Sequence, residues 1–334
     1  MNNFYNIFVF IFLLLGTKMN LSAQENILDN IPYSDETIKF SQHPVHPDPS
    51  LGASIAHIGE GRLFQTDLTI VEIPPGGQIL PNRHMAEEII YIVSGEGYTT
   101  MWVSPGEKLQ RYNWSAGDMI IPSLNVWHQH FNTSTDTPAR YISMTSSPLM
   151  NNQFFNQEFN TNIDFVFEDR WHIGITQNPE YKGPDTMDMK IGHFLPDLPG
   201  RKLIVRSDGS SGITTRPQQG DLAGNHLMQM LVREYQGVSL MPIDGHTHPW
   251  EVVYFVLAGE GSTLLKRDDE PARIVNWEKG DMFIVEANEY HDNGARMDAE
   301  PGSTHPRIMQ MRASGYFFGV GNVGREDHSP ISLP

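Results

Sequence analysis

The sequence predicts an all-β protein built as two tandem barrels, and three observations predict it. One set of residues recurs at a nearly fixed spacing across the 334 residues. Short apolar runs, dense in β-branched and aromatic residues, end in glycine turns. The 29 Gly and 23 Pro punctuate the chain at a density that suits short strands rather than long helices.

The repeat organises everything else. His84, Glu87, Gly95, Glu96 and Gly97 recur 164 residues later as His248, Glu251, Gly259, Glu260 and Gly261. Asn113-Trp114, Gly117-Asp118-Met119 and His128 recur after 163 residues as Asn276-Trp277, Gly280-Asp281-Met282 and His291. So many identities at one offset mark the duplication of a small domain. In each copy an apolar run, Ile89 to Val93 or Val252 to Leu257, leads into Gly-Glu-Gly, a tight-turn signal. Runs apolar on both faces suit strands buried on both sides. The Gly-Asp-Met of each copy reads as a turn entering another buried strand. This places a first barrel over residues 24–147, a connecting segment over 148–224 and a second barrel over 225–334. Phe154 to Trp171 is too aromatic for a free linker and is expected to pack across the barrels.

Residues 1–23 are expected to be a cleaved signal peptide. Phe8 to Gly16 is an apolar run too short to span a bilayer, and Leu21-Ser22-Ala23 offers a cleavage site before Gln24. The chain is therefore expected to be secreted or periplasmic, with no membrane attachment after processing. It has no Cys, which excludes disulfides and lipid attachment at cysteine. With 40 Asp+Glu against 23 Lys+Arg and a net charge of −17, it shows no basic stripe for nucleic acid. The partners expected are a small-molecule substrate and a second copy of the chain in a homo-oligomer.

The candidate chemistry lies in the repeated histidines. Strand side chains alternate, so His246 and His248 point to one side. His291 on a facing strand would complete a three-nitrogen facial site, which suits a divalent transition metal and leaves positions open for substrate. In the first copy Asn82 stands where the second has His246. His84, Glu88 and His128 remain, and Glu88 shares the parity of His84. The first site is thus expected to be histidine–carboxylate, with Asn82 able to add an amide oxygen. Glu251 falls on the odd step from His248 and is expected to point away from the metal, the even step being Val252. His130 shares the parity of His128 and is a candidate ligand, substrate contact or proton carrier. Arg83 and Arg307 are candidates for a substrate carboxylate, whose geometry fits a guanidinium fork.

On these residues both halves resemble the cupin superfamily, whose two motifs are G-x5-H-x-H-x3-4-E-x6-G and G-x5-P-x-G-x2-H-x3-N. Gly76, His84, Glu88 and Gly95 fall on the first motif in the first half, with Asn82 departing from it. Gly117, His128 and Asn132 keep the second, with Pro122 one residue early and Asn125 in place of the inner glycine. His246, His248, Gly259, Gly280 and His291 match in the second half, where Val252 takes the glutamate position. The resemblance covers residues 60–147 and 225–315 and implies two double-stranded β-helix barrels, a bicupin. Trp127-His128-Gln129-His130 with Asn132 is also similar to the W-H-x-H-x-N signature of the gentisate dioxygenase group.

The resemblance implies a metal-dependent oxidoreductase, dioxygenase-type, acting on a small oxygenated or aromatic molecule. Its metal would be iron, manganese, zinc or nickel, with His130 and Arg83 as candidate catalytic groups. The alternatives are a metal-dependent lyase, isomerase or hydrolase acting on sugar acids or other carbohydrate-derived molecules, and a non-catalytic ligand-binding bicupin.

Overall fold

The computed structural model describes residues 31–319, apart from 105, 107, 184–185, 208–209, 236–244, 269 and 297–304, together with 326–327. The expected signal peptide lies outside the described residues. Each half of the chain folds into a large and a small sheet. The first large sheet runs, in spatial order, Phe194–Leu195, Met119–Ile120, Glu88–Ser94, Ala139–Thr145, Asp67–Ile73, Ala53–Ile58 and His46–Asp48. Its small sheet is Trp127–Asn132, Glu96–Trp102 and Gln110–Ser115. The second large sheet runs Ile204–Val205, Ser211–Thr214, Gln229–Glu234, Arg307–Arg312, Val252–Ala258, Asp281–Val285 and Ile38–Lys39. The strands Arg273–Glu278, Glu260–Lys266, Tyr290–Ala295 and His246–Thr247 close that barrel.

The two barrels exchange arms. Ile38 pairs with Met282 of the second barrel, and Phe194 pairs with Ile120 of the first. The chain leading into each barrel thus completes the other barrel's sheet. The second large sheet also draws Ile204–Val205 and Ser211–Thr214 from the segment expected to be a connector.

The three larger cores follow from the strand alternation. Ile90, Ile92, Val71 and Tyr141 fill the first barrel, while Tyr254, Val256, Trp277, Phe283 and Ile308 fill the second. The alternate residues Ile89, Tyr91, Ile70, Val253, Phe255 and Met309 meet in a third core shared by the two large sheets. The Ile89 to Val93 and Val252 to Leu257 runs are apolar on both faces because both faces are buried.

The repeated turn residues have stereochemical causes. Gly95 and Gly259 sit at φ of +87° and +71°, where a Cβ is disfavoured. A Cβ on Gly97 or Gly261 would overlap the Trp114 or Trp277 ring and the neighbouring strand's carbonyl. Asn125, in place of the motif glycine, has φ +57°, and its repeat mate Asn288 has φ +62°. Asparagine is among the few side chains that enter this region readily.

The aromatic segment departs from expectation. Phe155 is 92% exposed and Phe165 57%, and Phe154 packs at a tilt on nearby Phe159 rather than across the barrels. Its anchors are Arg170, which reaches Glu87, and Trp171, which packs on the first barrel's core. Both lie on the helix Glu168–Thr176, whose regular turn holds them toward the barrel, whereas the phenylalanines lie on short helices and bends around it.

Candidate metal centres

Two groups of side chains converge inside the barrels. His84, Glu88 and His128 form one, and His246, His248 and His291 the other; within each, one ligand atom per residue lies within 4.8 Å of the rest. In the first group Glu88 begins the strand Glu88–Ser94, and His84 reaches it from the segment that precedes a bend at Met85–Ala86. His128 faces them from the small sheet. Its strand is brought to the Asn82–His84 segment by paired main-chain bonds, His128 N to Asn82 O at 2.9 Å and Asn82 N to His128 O at 3.1 Å. In the second group His246 is the cross-strand partner of His291, and their ring centres are 4.4 Å apart.

The rings are held ready for a metal. Nδ1 of His84 donates to the Ala86 carbonyl at 2.7 Å, and Nδ1 of His248 to that of Trp250 at 2.8 Å. Nδ1 of His128 donates to Val126 O at 3.0 Å, and that of His291 to Glu289 O at 3.1 Å. A carbonyl only accepts, so each Nδ1 carries a proton and each Nε2 is the nitrogen turned to the site, where it would ligate a metal through its lone pair. The same second partner recurs at i+2 or i−2 in both barrels.

Among the ligand atoms of the two groups, Glu88 Oε2 and His248 Nε2 are buried without a hydrogen-bond partner. Glu88 Oε2 stands 3.3 Å from His84 Nε2 and 3.4 Å from His128 Nε2. Such orphaned groups are costly in a barrel interior, and a metal ion in each site would satisfy them. The donor sets fit one: two histidines and a carboxylate, and three histidines. Burial alone would raise the Glu88 carboxyl, but the neighbouring imidazoles of His84 and His128 and the Ser143 hydroxyl hold it at about 2. Burial, with the neighbouring charges of His291, Arg312 and His246, pushes His248 far below its ordinary range.

Residues 69–145 match the family model of the cupin domain. The fold is similar to that of salicylate 1,2-dioxygenase from Pseudoaminobacter salicylatoxidans, solved with gentisate, at 16% identity and a TM-score of 0.61 over 93% of this chain and 92% of that one. Oxalate decarboxylase from Lactobacillus farciminis, solved as a formate complex, is similar at 12% identity and a TM-score of 0.54 over 84% and 86%. Oxalate decarboxylase of Bacillus subtilis gives 12% and 0.51 over 84% and 77%. The chain carries a cupin domain, and its fold is that of the two-barrel cupins. At these identities the likeness is one of fold, and no curated protein matches the sequence.

The remaining candidates fall differently in this two-barrel fold. His130 is buried behind the first site, its Nδ1 2.6 Å from the Thr99 hydroxyl, which also accepts Trp114 Nε1–H at 3.0 Å. Burial, with the charge of His128, lowers its pKa to about 3. Asn82 turns its amide nitrogen onto the Leu80 carbonyl at 3.3 Å. Arg83 is a correction. It lies on the opposite parity from His84, stacks 4.8 Å over Trp127 and reaches Asp164 at 3.2 Å, which takes it away from the metal ligands. Arg307 is likewise structural, bound to Glu234 at 2.6 Å and to the carbonyls of Pro199 and Arg201.

Glu251 turns away from the second site. Its carboxylate accepts from the amides of Phe64 and Gln65 and from the Thr66 hydroxyl of the other barrel. Its repeat mate Glu87 accepts from the amides of His226, Leu227 and Met228 at 2.7–2.8 Å, and from Arg170.

Sequence reasoning missed the lining of the second site. His246 and His248 border a cavity of about 580 Å³ with Arg206, Arg216, Arg233, Arg312, Tyr254 and Asn293 around it. Asn293 was within reach, since adding 163 to His130 lands on it. The Trp–Thr pair recurs beneath it: Trp277 Nε1–H bonds Thr263 Oγ1 at 2.9 Å, and Thr263 donates to Asn293 Oδ1 at 2.7 Å. The arginines belong to no motif.

Proposed function

We propose that this bicupin is a metal-dependent oxidoreductase of the dioxygenase type, acting in its second barrel on a small oxygenated or aromatic molecule. One observation carries the choice of barrel: the three-histidine group opens on the 580 Å³ cavity. Behind the first barrel's group the interior is packed with Val71, Ile73, Ile90, Ile92 and Tyr141. A pocket of a few hundred cubic ångströms with a few convergent polar groups is the ordinary form of a small-molecule site.

A divalent transition metal held by His246, His248 and His291 would supply open positions for substrate oxygen and dioxygen. The chain's own residues supply orientation. The Trp250 and Glu289 carbonyls fix the rings of His248 and His291. Burial raises the Tyr254 hydroxyl to about 12, so it keeps its proton and faces the cavity as a donor. Thr263 holds the Asn293 oxygen and turns the amide nitrogen toward Tyr254, 3.4 Å away. Trp250 and Phe318 wall the cavity and keep water from that side. The first site, His84, Glu88 and His128, serves as a second, more enclosed metal centre. The reaction takes place outside the cytoplasm, the chain being exported on residues 1–23.

The solved relatives carry names or ligands that are carboxylates (oxalate, formate, salicylate, gentisate), which supports an acidic substrate. The arginine-rich lining favours one second reading, a lyase, isomerase or hydrolase acting on sugar acids with the metal as Lewis acid. Oxygen uptake by iron-loaded protein, screened against substituted benzoates and uronates, tests the choice. Stoichiometric oxygen consumption with turnover is expected. Turnover that proceeds equally under argon would overturn the dioxygenase reading in favour of the Lewis-acid one.

A further inference from the structure

The two barrels differ most in what lines the space next to the metal. Their registers superpose, because the pairs Arg140–Glu72 and Arg307–Glu234 bridge the same two strands in each, at 3.1 and 2.6 Å. By that register Arg233 stands where the first barrel has Val71, each lying opposite the residue that follows the arginine, Ile308 or Tyr141. Arg312 stands where the first barrel has Thr145. The second copy thus carries two cationic side chains at interior strand positions where the first carries an apolar and a small neutral one.

The four cavity arginines fall into two sets. Arg312 is the cross-strand partner of Gln229, which accepts from its Nε at 2.9 Å. Arg312 also lies 5.7 Å from the Trp250 ring, which stacks on His248, so this is the metal end. Arg216, two residues past Thr214 opposite Leu231, belongs to the same end and pairs with Asp188 at 2.9 Å. Arg233 lies four residues from Gln229 along the strand, about 13 Å away. Arg206 follows Val205, which pairs with Ser211 opposite Glu234, and so joins Arg233 at the far end. Asp188 is the one carboxylate among the described lining residues. A cavity of 580 Å³ exceeds what a two-carbon acid or a single ring fills, and Trp250, Tyr235 and Phe318 give it flat walls.

We propose that the second barrel's cavity binds an elongated dicarboxylate with a two-ring body, one acid group at the Arg312 end beside the metal and the other at the Arg233–Arg206 end. This rests on the second barrel being the reacting one, and it adds the substrate class. Guanidinium forks at both ends select for carboxylates at a set separation, because each charge-assisted pair forms only where an acid group reaches it.

Calorimetric titration of the metal-loaded full chain tests this without turnover. The probes are digalacturonate and biphenyl-4,4′-dicarboxylate, each beside its one-acid counterpart, galacturonate or benzoate. At least one dicarboxylate is expected to bind about 10- to 100-fold more tightly than its monoacid, the range a charge-assisted hydrogen bond supports. Preference for digalacturonate marks a sugar acid, and preference for the biphenyl acid an aromatic one. Arg233→Val, which installs the first barrel's residue, should remove the dicarboxylate advantage and leave monoacid binding unchanged. Arg206→Ala, at an exposed hairpin position, should weaken the dicarboxylate alone and carries the test if Arg233→Val fails to fold. Equal binding of mono- and dicarboxylates would overturn the proposal even where oxygen uptake is observed. A dicarboxylate advantage without oxygen uptake would leave it standing and sink the dioxygenase reading.

Discussion

A histidine ligates a metal only through a nitrogen that carries no proton, and the backbone settles which nitrogen that is for His84, His128, His248 and His291. Glu88 shows what the first site gains beyond geometry. Its carboxyl sits at about 2 in the folded chain against an ordinary 4.5, so between these values the unfolded chain binds the proton more tightly. Stability from Glu88 is therefore present above pH 4.5 and lost as pH falls toward 2, in total roughly 3 kcal/mol. Urea unfolding of metal-free protein at pH 6 and pH 3 should show part of that loss, about 2 kcal/mol, and Glu88→Gln should lack it. An identical pH slope in the variant would contradict the assignment. The ligand side chains were legible in the sequence because alternation assigns His84 and Glu88, or His246 and His248, to one face. The same alternation, applied to Arg83, would have turned it away. Arg233 and Arg312 were not legible, since motif spacing records what touches the metal and says nothing of strands that line the space beside it.

Between elements, the repeated glutamates do the joining. Glu87, next to a metal ligand in the first barrel, grips the main chain of His226 to Met228 just before the strand Gln229–Glu234 of the second. Glu251 grips Phe64 to Thr66 just before Asp67–Ile73 of the first. Both are 1% exposed. Burial raises the Glu251 carboxyl, while the Phe64 and Gln65 amides pull it back. Glu87→Ala strands three amides and the Arg170 guanidinium, and should cost about 3 kcal/mol in denaturant unfolding, the scale for removing one partner of a buried charge pair. Glu251→Gln should destabilise less and leave metal content unchanged. Loss of metal in Glu251→Gln with stability intact would show that this glutamate is a ligand instead. The sequence displayed the retention of both glutamates but not their reach, because a contact between barrels depends on how the two sheets pack. The arm exchange of Ile38–Lys39 and Phe194–Leu195 was hidden for the same reason, each strand being only two residues long.

Across the whole molecule, a duplicated barrel has kept its frame and divided its interiors. Turn glycines, the Trp114 and Trp277 anchors and the carbonyl partners of the histidines are common to both halves. The ligand sets and linings are not: Glu88 faces Ser143 in one barrel, and Val252 lies beside Arg312 in the other. A frame fixed by backbone stereochemistry tolerates such change, because the interior side chains of a strand vary without altering its register. Fold class and duplication were therefore plain in the sequence, while the acidic chain's cationic cavity emerged only with the sheets assembled. Metal analysis of the purified full chain beside the His246→Ala/His248→Ala double variant tests the central claim most directly. Two of three nitrogen donors go, so the variant should hold about one metal equivalent per chain less, with the first site still filled. Equal metal content in the two proteins would contradict a three-histidine centre in the second barrel.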